Sequence, residues 1–341
     1  MNSATRSSIR PHDTAPGGGA RCSNWCDIVK VPQPRRPDSF DASIVDQTVS
    51  KVGPAGIDIA YQRFGNPDAP LALLIMGVAA QSIAWPDGFC QALVDRGLAV
   101  VRFDNRDVGL STHFTDAPPP NLPAVLAGDL SSVSYTLSDM AADTVGLLDV
   151  LGFEQAHLVG ASMGGAIAQT MAIEHPDRVL SLTSMMSTTG DMSVGQPSPD
   201  ALREVFSGPP AVTRDEVIQR MVRAFRVVGS PGYPSDEKEV AARAGRSYDR
   251  CYDPIGVARQ AIATVASGDR TKLLRDLKIP TLVIHGLADR MCDVSGGRAT
   301  AEAIPGAELV LMEGMGHDLP PGLRSQLAER IADFVWRAEG R

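Results

Sequence analysis

Beyond about residue 46 the chain alternates two hydrophobic periods. "QTVSKV" and "IDIAYQRFG" flank "GPAG" and read as a hairpin of half-buried strands. Leu71–Gly77 ("LALLIMG") and Leu98–Asp104 ("LAVVRFD") are continuous apolar runs, the pattern of strands buried on both faces. Helical spacing falls between them, at roughly Asp87–Arg96. It returns in "LSDMAADTVGLLDVLG", where Met140, Val145, Leu148 and Leu151 share a face. The strand "AHLVGAS" runs into the helix "GGAIAQTMAIEH", stopped by Pro176, and "VLSLTSMMST" is the next strand.

From about residue 189 to 276 the strand pattern ceases and helix signals take over. Ser198-Pro199 is a helix start, and Thr213-Arg214-Asp215-Glu216 has the form of a capping box. "SDEKEVAARAGRSYDR" and "DPIGVARQAIATVAS" supply two more helices. Strands resume at "PTLVIHG" and "AELVLMEG", and the chain closes on a helix near Pro321–Arg337. The pattern predicts an α/β chain with a mostly parallel, doubly wound sheet, its core split into residues 46–188 and 277–341 by a helical insertion at 189–276. An insertion there emerges beyond the carboxyl ends of the strands, where open α/β sheets bind ligands, so it is expected to act as a cap.

Composition narrows the function. A net charge of −8 argues against a nucleic-acid partner, and no apolar run is long enough to span a membrane. Residues 1–45 are rich in Ser, Pro, Gly and Arg. They carry six Lys/Arg against two Asp/Glu up to Pro37 and have no apolar signal region, so a mobile tail and a cytoplasmic protein are expected. The five cysteines, Cys22, Cys26, Cys90, Cys251 and Cys292, are odd in number and irregular in spacing, as free thiols are.

Chemistry concentrates at Gly160-Ala161-Ser162-Met163-Gly164, a G-x-S-x-G motif that ends a strand and opens a helix. The glycines let strand and helix approach across a strained turn that lifts the Ser162 hydroxyl above the sheet. A serine hydroxyl needs a base. Of the six histidines, His317 in "EGMGHDLP" stands in a glycine-flanked loop at the carboxyl edge, on the side of Ser162. The base needs a carboxylate, and Asp289 in "VIHGLADRMCD" follows a strand as that role requires; Asp293 and then Glu313 are the alternatives. The backbone N–H groups of Met163 and Val78 are the expected oxyanion donors. Trp85, Met186 and Phe225 are candidate substrate contacts. This chemistry requires neither metal nor cofactor, only a small-molecule ester or lactone.

The motifs "GASMGG", "HGLADR", "GMGHDLP" and "RFDNRDVGLS" resemble those of the α/β-hydrolase superfamily over about residues 46–340. "LLIMG", "DNRDVGLS" and "GASMGG" are similar to bacterial carboxylesterases, in particular to EstX-like serine-dependent macrolide esterases, and also to anthracycline methylesterases. Many members carry His-Gly where this chain has Met76-Gly77, a change that backbone donors survive. The resemblance implies serine esterase activity, with opening of a macrolide lactone, and hence antibiotic resistance, as the expected outcome. A general carboxylesterase or a polyketide methylesterase is the alternative. C–C hydrolysis, perhydrolysis and a non-catalytic ligand-binding role remain open on the same fold.

Overall fold

The computed structural model describes residues 45–206 and 211–340. The N-terminal tail expected above, with Cys22 and Cys26, lies outside the described residues apart from Val45. The hairpin is present as β1 (Gln47–Val52) and β2 (Ile57–Phe64), followed by β3 (Leu71–Ile75), α1 (Asp87–Val94) and β4 (Ala99–Phe103). A short helix α2 (Leu122–Leu126), which no periodicity announced, precedes α3 (Leu137–Leu151). Then come β5 (Ala156–Ala161), α4 (Met163–Glu174) and β6 (Val179–Met185).

The described residues of the stretch without strand signals form helices joined by loops: α5 (Pro199–Phe206), α6 (Arg214–Val228), α7 (Glu237–Arg250), α8 (Pro254–Ala266) and α9 (Thr271–Leu274). The capping box at α6 forms: Thr213 accepts from the Glu216 N–H while the Glu216 carboxylate accepts from the Thr213 N–H. β7 (Thr281–Gly286), α10 (Val294–Ala303), β8 (Glu308–Met312) and α11 (Arg324–Ala338) complete the chain.

The eight strands form one sheet in the order β1-β2-β4-β3-β5-β6-β7-β8. β2 is antiparallel to both of its neighbours, and every pairing from β4 to β8 is parallel. This is the mostly parallel sheet expected from the strand pattern. The period of two explains the layers. Leu71, Leu73 and Ile75 of β3 face the core shared with α3 and α4, where Met140, Leu147, Ile167 and Met171 pack. Ala72 and Leu74 face the opposite core, built with Phe89 and Leu93 of α1 and Leu327, Ile331 and Val335 of α11. Among the described residues no helix is long and apolar enough to cross a membrane.

Candidate active site

The turn between β5 and α4 carries Ser162 at φ 57° and ψ −123°, a region that costs a non-glycine residue conformational energy. The turn is held from both sides. The Ser162 N–H donates to the Met185 carbonyl at 2.9 Å, continuing the β5–β6 register past the strand end. A Cβ at Gly160 would overlap the Gly164 carbonyl, and one at Gly164 would overlap the Ile75 carbonyl, so helix and strand meet only because both positions are glycine. Ser162 remains partly exposed while Met163 is buried.

His317 reaches this serine from the loop after β8. Its Nε2 lies 3.0 Å from Ser162 Oγ, and its Nδ1 lies 2.7 Å from Asp289 Oδ2. Asp289 is oriented in turn, its Oδ1 accepting from the N–H groups of Met291 and Cys292 at 2.8 Å each. The His317 side chain is 14% exposed. Burial drives its pKa down, but the Asp289 carboxylate, by charge and by hydrogen bond, and the charge of Asp318 outweigh burial and leave it raised above the ordinary 6.5. Asp293, the alternative acid, caps α10 by accepting from the Ser295 N–H, and Glu313 stands exposed after β8.

The other described histidines have different duties. His157 bonds Ser181 and Glu339, and His113 bonds Asp253. His285 bonds the Cys292 carbonyl through Nε2 at 2.8 Å and is held by burial below the usual histidine range, which keeps it neutral beside Asp289. One set of potentially metal-ligating atoms converges among the described residues, those of Asp107, His113 and Asp253. Protein cations already fill it. Arg259 bonds both oxygens of Asp107 at 2.7 and 2.8 Å, and His113, hydrogen-bonded to Asp253, is raised to about 10.

The two N–H groups expected to face an oxyanion flank the serine. Met163 N is the first helical amide of α4 and has no intrahelical acceptor. Val78 follows Gly77, whose position is so close that a Cβ there would fall 2.9 Å from Ser162 Cβ. Among the described residues, Val78 N–H donates to no backbone carbonyl.

The predicted substrate contacts separate. Trp85 is fully buried and stacks on Phe89 at 5.5 Å between ring centroids, so it is a core residue with no face to offer a substrate here. Its neighbours Ala84 and Pro86 gave no sign of this, because an isolated aromatic carries no periodicity. Met186, 4% exposed and at φ 42°, follows β6 inside the same core. Phe225 is half-buried on α6, beneath the Arg243 guanidinium at 4.7 Å. The last turn of its helix holds the histidine loop, the Val228 carbonyl accepting from the His317 N–H at 2.7 Å. Sequence reasoning missed Ser230 and Asp318. Ser230 Oγ donates to Asp318 and accepts from the Gly316 N–H at 2.8 Å, pinning the loop beside the base. Burial raises the pKa of Asp318 against that hydrogen bond. The Asp318 signal was visible only as the residue after His317.

Comparison with known proteins agrees with this fold. The family model described as the alpha/beta hydrolase fold matches residues 70–320. Rhodomycin D methylesterase DnrP of Streptomyces peucetius is 31% identical over 295 residues, 79% of this chain and 92% of its own length. The 2-hydroxymuconate semialdehyde hydrolase of Pseudomonas putida is 26% identical over 207 residues, 60% of this chain and 71% of its own. Among solved structures, a thermophilic esterase from Thermogutta terrifontis superposes with a TM-score of 0.61 at 23% identity, covering 87% of this chain and 99% of its own. The meta-cleavage product hydrolase CumD from Pseudomonas fluorescens IP01 gives 0.67 at 19% identity, covering 87% and 100%. At these identities the two structures speak for the fold alone.

Proposed function

The chain belongs to the α/β-hydrolase fold family, and within it we propose a serine carboxylic-ester hydrolase that works through an acyl-enzyme on Ser162. The observation that carries this reading is the bonding of one imidazole to both partners, Ser162 Oγ at 3.0 Å and Asp289 at 2.7 Å. Ser162 Oγ attacks the ester carbonyl carbon as its proton passes to His317 Nε2. Asp289 accepts from Nδ1–H, fixes the tautomer and stabilises the imidazolium. The tetrahedral oxyanion takes the Val78 and Met163 N–H groups, a contribution of about 3–4 kcal/mol per donor where one such group has been removed elsewhere. His317 returns the proton to the leaving alkoxide and the alcohol departs. A water then loses its proton to His317 and attacks the acyl carbon. The second tetrahedral intermediate expels Ser162, which regains the proton as the acid is released.

The ester we favour is a macrolide lactone, whose hydrolysis opens the ring; the support is the similarity of "LLIMG", "DNRDVGLS" and "GASMGG" to macrolide esterases. A methyl ester on a polyketide scaffold is the second reading, favoured by the 31% identity to a rhodomycin D methylesterase. In either case residues 189–276 act as the cap that selects the ester, with Phe225 beside the His317 loop. Mass spectrometry of candidate esters incubated with the protein tests the choice. A macrolide gaining one water, with the gain lost in Ser162→Ala and His317→Ala, supports the lactone. Conversion of an anthracycline methyl ester to its free acid with release of methanol, the macrolide untouched, transfers the assignment to the second reading. Hydrolysis of a carbon–carbon bond with every ester untouched overturns both.

A further inference from the structure

We propose that Gln260, on α8, is a positioning residue that holds the loop after β3 in the shape that leaves the Val78 N–H for the oxyanion. Gln260 is wholly buried, and its amide spans two loops. Oε1 accepts from the Ala79 N–H at 3.0 Å, and Nε2 donates to the Arg106 carbonyl at 2.7 Å. Both partners belong to segments that matter to the site. Ala79 follows the proposed oxyanion donor, and Arg106 lies in the "DNRDVGLS" loop.

The loop needs such a tie. Ala79 sits at φ 65°, a conformation that its Cβ opposes. The chain turns tightly there, with the Ala80 N–H reaching back to the Gly77 carbonyl at 3.3 Å. On the upstream side Asn105 Nδ2 donates to the Met76 carbonyl at 2.9 Å, and downstream the Asp104 carboxylate accepts from the Ser82 N–H at 2.6 Å. The DNRD loop therefore grips the segment at both ends, and Gln260 supplies the acceptor at its strained middle. Gln260 is itself fixed, because its neighbour Arg259 makes a two-point buried ion pair with Asp107 of the same loop. A helix of the inserted segment thus sets the backbone of a site formed by the sheet. A donor freed to wander loses transition-state stabilisation without loosening ground-state binding, because an oxyanion demands closer geometry than a carbonyl.

This inference rests on the serine-esterase reading, and the experiment separates the two. Steady-state kinetics on p-nitrophenyl acetate, normalised to serine titrated by a fluorophosphonate, are compared for wild type, Q260L, Q260N, T264V and S162A. Phenylboronic acid, which forms a tetrahedral adduct on an active serine, is titrated in parallel. Q260L is expected to lower kcat by about tenfold to a hundredfold with KM within about twofold, and to weaken boronate binding in proportion. Q260N, a milder change that guards against misfolding, falls between. T264V removes a bond to the Gln260 carbonyl inside the same helix and keeps wild-type kinetics. Adding A79G to Q260L relieves the strain at φ 65° and restores part of kcat, a rescue that general damage to the helix does not produce. Wild-type kcat and boronate affinity in titrated Q260L and Q260N, or no rescue by A79G, overturns the positioning role while leaving the esterase reading intact. Turnover that persists in S162A overturns the reading beneath it.

Discussion

His317 Nε2 lies 3.0 Å from Ser162 Oγ although 155 residues separate them in the chain. β5 and β8 deliver the two side chains to the same edge of the sheet, and Asp289, from the loop after β7, completes the line at 2.7 Å. Three parallel strands ending at one edge make a chain of proton-sharing groups from residues that sequence keeps apart.

The pH profile follows from the charge on His317. The base must be neutral to accept the serine proton, and its pKa is raised above the ordinary 6.5 by Asp289 and Asp318 in spite of burial. The value of kcat/KM on an uncharged ester is therefore expected to rise with pH through a midpoint above the ordinary histidine value. Asp289→Asn removes the larger raising influence, so the midpoint moves down while kcat falls by about 10³–10⁴-fold. Stopped-assay rates across the acid limb check both.

The glycines of the serine turn divide from other glycines by what surrounds them. Gly164→Ala forces a Cβ into the Ile75 carbonyl and is expected to cost more than about 3 kcal/mol. Gly88, in α1 with nothing within 4 Å of its added Cβ, is the control. Gly88→Ala is expected to stabilise by about 0.5–1 kcal/mol through helix propensity. Urea unfolding midpoints measure the two shifts.

Most of the frame was readable because it is built of long periodic segments. The two-sided strands Leu71–Ile75 and Ala99–Phe103, the turn around Ser162 and the capping box at Thr213 all announced themselves locally. The acid could be ordered but not chosen by sequence; the choice rests on which carboxylate meets His317, and Asp293 spends its side chain on a helix cap. Trp85, Gln260 and Ser230 were opaque for one reason. Their roles are contacts with residues far away in the chain, and periodicity states that a face is buried without stating against what. Gln260 shares the buried side of α8 with Arg259, Ile262 and Ala263, so a polar residue there did not mark it out.

Arg259 and Asp107 form a buried pair, with side chains 4% and 0% exposed. Arg259→Met leaves the carboxylate buried without its cation and is expected to cost about 3–5 kcal/mol. Adding Asp107→Asn removes the stranded charge while keeping an oxygen for the Phe114 N–H, and most of the loss is recovered. Guanidinium denaturation of the single and double variants tests the coupling.

His113 links stability to pH. The hydrogen bond to Asp253, then that to Cys251, raises it to about 10 from 6.5. A folded-state value above the unfolded one means that the protonated form favours folding. The contribution is full below about pH 6.5 and is lost as pH climbs toward 10. His113→Gln is therefore expected to be less stable than wild type by about 1–2 kcal/mol at the low end of that window, the pair being partly solvated, with the gap closing near pH 10. A constant gap across the window, seen by urea titration at several pH values, contradicts this.

The central claim is that Ser162 is the nucleophile, activated by His317. A fluorophosphonate probe followed by peptide mass spectrometry tests it most directly. One adduct per chain is predicted, on the peptide bearing Ser162, absent in Ser162→Ala and slowed by about 10³-fold or more in His317→Ala. An adduct on another residue, or labelling of wild type no faster than of His317→Ala, contradicts the account.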